Sequence, residues 1–289
     1  MHLIGLLPNS TAMPTTFLPI FLLTRKTKEN HMKIPKILVG APVYSGKKYI
    51  SPYWIEKVTN LTYPNYDVLV ADNSKPNERF GHIFERAGIK VQYTPYLDDP
   101  FERLTESRKS LNQAAILGKY DYLMSIEQDV IVPAEIIELL IKHKVSIVGA
   151  PYVVSAHTNE QRRLVDYVIS ASNKNKIYDT IDGVTVNEWY LAEEIKNKGL
   201  LQVKSCSLGC TLISTEILRM IPSRFNPQVR RADDSYFFQD CFNMGIPVYL
   251  DTDLMWHIDH IKRLSGEIPV GKEIHKLAKE RNLESVLNG

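Results

Sequence analysis

Residues 120–133 read YDYLMSIEQDVIVP. The run 120–126 is short and mostly apolar, as a buried strand is, and two acids follow it at once, Glu127 and Asp129. Pro133 then opens a helix, at a position where the missing N–H of proline costs nothing. If the strand stays extended past Ile126, residues two apart share a face and both carboxylates point the same way. Like charges so placed repel unless a cation lies beside them. Hard divalent ions such as Mg²⁺ and Mn²⁺ take oxygen ligands and also bind phosphates. An isolated E-x-D is commonly a solvated turn; here the strand before it and the helix after it favour a metal–diphosphate site.

Outward from this stretch the chain alternates strand and helix. Upstream, strands are predicted at 36–42 (KILVGAP), 66–71 (YDVLVA) and 90–96, with helices at 47–61, 76–87 and 101–117. Downstream, a strand is predicted at 145–152. A polar, irregular stretch follows at 155–199, with a turn at Asp182-Gly183 and a short helix at 187–198. Strands at 201–205 and up to Ser214, helices at 215–220 and 235–244, and a last strand at 248–250 complete the pattern. Such alternation predicts an α/β fold with a mostly parallel sheet and helices on both faces. Sheets of this kind bind ligands at the carboxyl ends of their strands, where Asp72 and the Glu127/Asp129 pair both fall.

The 289 residues are enough for one sizeable α/β domain, and a net charge of +2 without a long basic run excludes nucleic acid as the expected partner. Cys206, Cys210 and Cys241 offer no disulfide framework. Cys206 and Cys210 form C-x₃-C with no second cysteine pair to complete a zinc site, so buried, unreactive thiols are expected. In the first 32 residues, the seven-residue apolar run 17–23 is shorter than the roughly 20 residues a spanning helix needs, so no transmembrane segment is expected. A disordered tail is the reading of residues 1–32, with Met32 an alternative start and a weak membrane-surface anchor the sharper alternative. The main domain is placed at 33–260, a tail with a charged amphipathic helix at 261–289, and the protein in the cytoplasm, with peripheral membrane attachment as the variant.

The segment YDYLMSIEQDVIVP resembles the DxD-bearing segment of GT-A glycosyltransferases, especially the family-2-like enzymes. The resemblance implies a GT-A, Rossmann-like sheet with a smaller antiparallel portion on the acceptor side. It also implies a divalent ion, Mn²⁺ or Mg²⁺, that bridges the diphosphate of a sugar nucleotide. The family's first Asp is Glu127 here, which keeps the charge on a longer arm, so Asp129 is the first metal ligand and Glu127 the second. KILVGAPVYSG is similar to the opening strand whose end lines the base, which carries over to Pro42 and Tyr44. VLVADNS matches the acidic position that bonds base or ribose, Asp72; capping a turn is its plainer reading. RLTESRKSLNQAAI resembles the helix that faces the nucleotide sugar. Arg108 and Asn112 stand four apart there, on one face. VKSCSLGCTLIS resembles the small-residue turn under the donor sugar, with Gly209 allowing close backbone approach.

Arg231-Ala232-Asp233-Asp234 precedes the helix at 235–244, where the family carries an acidic pair whose second member is the general base of inverting enzymes. That role falls to Asp234, with Asp233 its neighbour; capping a helix N-terminus is the structural alternative, compatible with it. A histidine near residues 251–260 completes the family's metal shell, His257 being the better match and His260 the spare. The implied reaction moves a sugar from a nucleotide-diphosphate donor to a hydroxyl of a glycan, lipid or protein, with inversion. One rival is a nucleotidyltransferase, which needs a glycine-rich phosphate loop where APVYSGKKY has only Gly46. The other is a non-catalytic nucleotide-sugar-binding module on the same scaffold.

Overall fold

The computed structural model describes residues 34–157, 164–169, 171–172, 179–181, 184–186, 190, 195, 197–229, 231 and 233–260. The tails read at 1–32 and 261–289, and all but single residues of the helix read at 187–198, lie outside the described residues. Eight strands form the main sheet: β1 (Ile37–Val43), β2 (Tyr66–Asp72), β3 (Lys90–Tyr93), β4 (Tyr122–Ile126), β5 (Ile147–Gly149), β6 (Leu200–Val203), β7 (Cys210–Ser214) and β8 (Val248–Asp251). Their order is β6-β8-β5-β7-β4-β1-β2-β3. β3, β2, β1 and β4 lie parallel; β7 runs against β4 and β5, and β6 against β8. The helices are α1 (Ser51–Thr59), α2 (His82–Arg86), α3 (Pro100–Leu117), α4 (Ile136–Ile141), α5 (Thr215–Met220) and α6 (Asp233–Asn243). Short antiparallel pairs stand apart from the sheet, among them Asp179–Ile181 with Val184–Val186, which flank the turn read at Asp182-Gly183. This is the α/β architecture expected, a mostly parallel sheet flanked by helices with a smaller antiparallel portion.

β1 shows why its sequence is a continuous apolar run. Ile37, Val39, Ala41 and Val43 pack on one face with Trp54, Val58, Phe84 and Ile136. Leu38 faces the other layer, with Ala115, Leu123, Phe237 and Phe238. A strand covered on both faces has no polar side to alternate with. Gly40 keeps α3 close: a Cβ there would meet Leu123 Cδ1 at 2.9 Å and Leu111 beyond it.

Three local departures from the sequence reading have local causes. The helix read at 47–61 begins as a 3₁₀ segment, Ser45–Ile50, and turns α-helical only at Ser51, with Pro52 in its first turn. The Tyr44 ring lies 2.2 Å from where a Gly46 Cβ would be, so the chain folds tightly there. The helix at 76–87 breaks at Arg79, in the left-handed region at φ 48°. The third departure matters most: the chain does not stay extended past Ile126. Val130 N–H donates to Glu127 O at 2.9 Å and closes a turn, so the expected shared strand face of Glu127 and Asp129 does not exist.

Among the described residues no helix is long and apolar enough to cross a membrane. The carbonyl of Ile126, last residue of β4, accepts from Trp54 Nε1 at 3.3 Å, and the indole is fully buried. Trp54→Phe keeps most of the packing but orphans that carbonyl. Urea unfolding should show a loss of about 1–3 kcal/mol.

Candidate active site

Gln128, the middle residue of the acidic tripeptide, is fully buried and ties the turn to the loop leaving β1. Its Oε1 accepts from Tyr44 N–H at 3.0 Å. Its Nε2 donates to Lys47 O at 3.2 Å and to Ser51 Oγ at 2.8 Å. Glu127 N–H donates to Gly209 O at 2.9 Å, which anchors the other end of the turn to the entry of β7. With the tripeptide so pinned, the two acids meet different cations. Asp129 Oδ2 lies 2.8 Å from Lys47 Nζ, while Glu127 Oε1 accepts from Arg108 Nη2.

Arg108 joins the tripeptide to the second acidic pair. It projects from α3 and is only 5% exposed, and its Nε lies 3.0 Å from Asp233 Oδ2. Asp233 and Asp234 form the first turn of α6, so both acids lie within the helix, where its dipole favours them. Burial pushes the Asp233 carboxyl up, and Arg108 works against that. Enclosure by protein, then the charge of Asp233, pushes Asp234 up to about 6, while Arg108 holds it down. One buried guanidinium thus brings Glu127, Asp233 and Asp234 into a single electrostatic unit.

Tyr152 is a site residue that the sequence reading missed. It is buried just beyond β5, and its hydroxyl lies 2.6 Å from Ser207 Oγ. Burial, then the charge of Glu127, holds its phenol well above the usual range, with Asp129 and Asp234 adding to the effect, so the hydroxyl stays neutral among these acids. Its contact explains Gly209: a Cβ there would sit 2.0 Å from the Tyr152 hydroxyl. The only signal in the sequence was a tyrosine at the end of a predicted strand, which is not distinctive. Cys206 and Cys210 are buried and free, and burial holds both thiols high, Cys210 at about 12.

The expected base-side residues are less open. Asp72 is 4% exposed and closes its own loop, accepting from Ser74 N–H at 2.9 Å and Gly81 N–H at 2.7 Å. This is the turn-capping reading of that residue. Pro42 is buried within β1, and Tyr44 just beyond it is 38% exposed. Asn112 does not join Arg108 among the acids; its Nδ2 donates to Ser223 Oγ at 3.1 Å and ties α3 to the segment after α5. His257 ends the 3₁₀ segment Thr252–His257, and its imidazole lies outside the described side chains. His260 stands opposite Val130 in a short antiparallel pair, so topology brings that segment beside the acidic turn.

The donor set fits a divalent cation in kind. Glu127, Asp129, Asp233 and Asp234 are hard oxygen donors, and of the cations Lys47 and Arg108 each spends its single charge on them. The set is not preassembled: each acid of the tripeptide leans on its own cation. Among the described residues no group of three or more His, Cys, Asp or Glu is arranged to hold a metal.

No protein-family model matches the sequence, and no curated protein matches it. Among solved structures the chain is similar to S. aureus TarS 1–349 in complex with UDP-GlcNAc, at a TM-score of 0.50 and 14% identity, covering 84% of this chain and 65% of that one. It is also similar to TarS 1–349 in complex with UDP, at a TM-score of 0.45 and 13% identity, covering 76% of this chain and 59% of that one. The chain thus spans less than two thirds of the length of these TarS chains. The likeness is one of fold: a Rossmann-like α/β sheet, mostly parallel and flanked by helices, shared with TarS.

Two outcomes follow from this geometry. Gly209→Ala drives a methyl into the Tyr152 hydroxyl and should destabilise the fold by about 1–3 kcal/mol. Adding Tyr152→Phe removes the nearest clashing atom, so in thermal unfolding the double variant should be more stable than G209A alone. Were Asp234 the base of a reaction, it would accept a proton only when ionised, and kcat/KM would rise with pH through about 6 and then level off. Arg108→Gln removes the charge that favours the ionised form, and the rising limb should move to higher pH. Arg108→Lys should leave the limb nearer its original place.

Proposed function

We propose that the protein transfers a sugar from a nucleotide-diphosphate sugar to an acceptor hydroxyl. The observation that carries this reading is Asp234. It is a carboxylate raised to about 6 beside Asp233 and Arg108, in the acidic cluster around the carboxyl end of β4. A general base works best when its pKa lies near the working pH. The likeness in fold to a TarS structure that holds UDP-GlcNAc supports a nucleotide-sugar donor.

In this reading the donor lies over the strand ends, with the exposed Tyr44 ring against the base and Asp72 shaping the loop beside it. Asp234 takes the proton of the acceptor hydroxyl as that oxygen attacks the anomeric carbon, and direct attack inverts the centre. The charges of Asp233 and Arg108 set the proton affinity of the Asp234 carboxylate. Gly209 and Tyr152 form the close-packed floor beneath the sugar. Asp129 and Glu127, with His257, would hold the divalent ion, which when bound neutralises charge on the departing diphosphate. The acceptor is a glycan, lipid or protein hydroxyl.

The test is a donor screen. The protein is incubated with Mn²⁺ or Mg²⁺ and UDP-, GDP- and dTDP-sugars, and nucleoside diphosphate release is assayed with and without EDTA. Release from one donor, abolished by EDTA and reduced by about 10²-fold or more in Asp234→Asn, is the expected result. Release of pyrophosphate would mean nucleotidyl transfer instead, and a product that keeps the donor's anomeric configuration would remove the single displacement.

A further inference from the structure

Lys47 has no part in the mechanism above, yet its placement is tightly specified. Its Nζ lies 2.8 Å from Asp129 Oδ2, with the lysine side chain 27% exposed and the carboxylate only 6%. Its main chain is held at both ends: Lys47 N–H donates to Tyr44 O at 3.0 Å, and Lys47 O accepts from Gln128 Nε2 at 3.2 Å. The lysine is therefore roped to the residue that precedes its acidic partner, and the ion pair is a consequence of that loop geometry. Burial opposes the ammonium charge, but Asp129 and then Glu127 outweigh it, and the lysine stays protonated.

A carboxylate taken out of water needs a counter-charge. Lys47 supplies it for Asp129, the same acid that the reading above assigns as first ligand of the divalent ion. A divalent ion on either oxygen of that carboxylate would be repelled by the ammonium at Oδ2 and would favour its departure. With no anion at hand, the displaced ammonium loses its partner. With a diphosphate over the strand ends, it gains one, because a flexible four-carbon arm carries a point charge that suits phosphate.

We propose that Lys47 is a resident counter-ion that holds Asp129 until the donor enters and then passes to the donor's diphosphate, so that divalent ion and nucleotide bind as a unit. The proposal rests on the reading of this site as a sugar-nucleotide site. It makes Lys47 a positioning residue that couples two ligands. Such coupling is reciprocal: the nucleotide tightens the ion by the factor by which the ion tightens the nucleotide.

The test measures Mn²⁺ binding rather than turnover, through the EPR signal of the free ion. The full chain is used as wild type, Lys47→Gln, Lys47→Arg and Asp129→Asn, each alone and with UDP, GDP and dTDP in turn. Protein-free mixtures correct for ion held by nucleotide in solution, and circular dichroism checks that each variant is folded. Wild type should bind Mn²⁺ weakly alone and more tightly with one of the nucleotides. Lys47→Gln should bind Mn²⁺ alone about tenfold more tightly than wild type, as expected for losing one charge-assisted contact, and gain less from the nucleotide. Lys47→Arg should resemble wild type, and Asp129→Asn should bind poorly throughout. The proposal falls if Lys47→Gln binds Mn²⁺ alone no more tightly than wild type while nucleotide still promotes Mn²⁺ binding to wild type. If wild type takes up no Mn²⁺ with any nucleotide, the metal-dependent part of the functional reading falls with it.

Discussion

A guanidinium at 5% exposure has to be matched by charge, and the site is organised around that demand. Arg108 meets it with Glu127 from the turn after β4 and Asp233 from the first turn of α6. Breaking a buried pair by removing one partner typically costs about 3–5 kcal/mol, because the other charge is left uncompensated. Three elements are thereby bound to one another at the strand ends: α3, the exit of β4 and the start of α6. The same charge sets the environment of Asp234, so the residue that holds the architecture together also sets the proton affinity of the proposed base.

A second constraint explains why the acids of the tripeptide part company. A fully buried glutamine must satisfy both its amide groups, and Gln128 does so on the loop from Tyr44 to Ser51. The backbone therefore turns instead of running on, one acid faces Arg108 and the other Lys47. The tripeptide acts as two anchored acids with a structural peg between them.

The strands and long helices were largely legible, because apolar periodicity is a local property of the chain. The helix at 215–220 and the strand at 66–71 match the observed bounds to within a residue. What blurred was local geometry with a nonlocal cause. Gln128 is an ordinary polar letter in a turn until its partner, 81 positions away at Lys47, is known. Asn112 reads as sharing a face with Arg108, but it pairs with Ser223 on a separate segment. Tyr152 had no distinguishing neighbours in sequence, since its contacts are with Ser207 and Gly209.

The sequence by itself determined the strand–helix order, the two-sided burial of β1, and the positions of acids at strand ends and at a helix start. Each of these follows from runs of residues that act on their immediate neighbours. Only the tertiary structure decided which cation meets which acid, why residue 209 has no side chain, and that Asp72 closes a loop with both its oxygens. Those outcomes depend on which distant segments share the low-dielectric space at the strand ends. A charge or hydroxyl there is worth what its neighbours make of it.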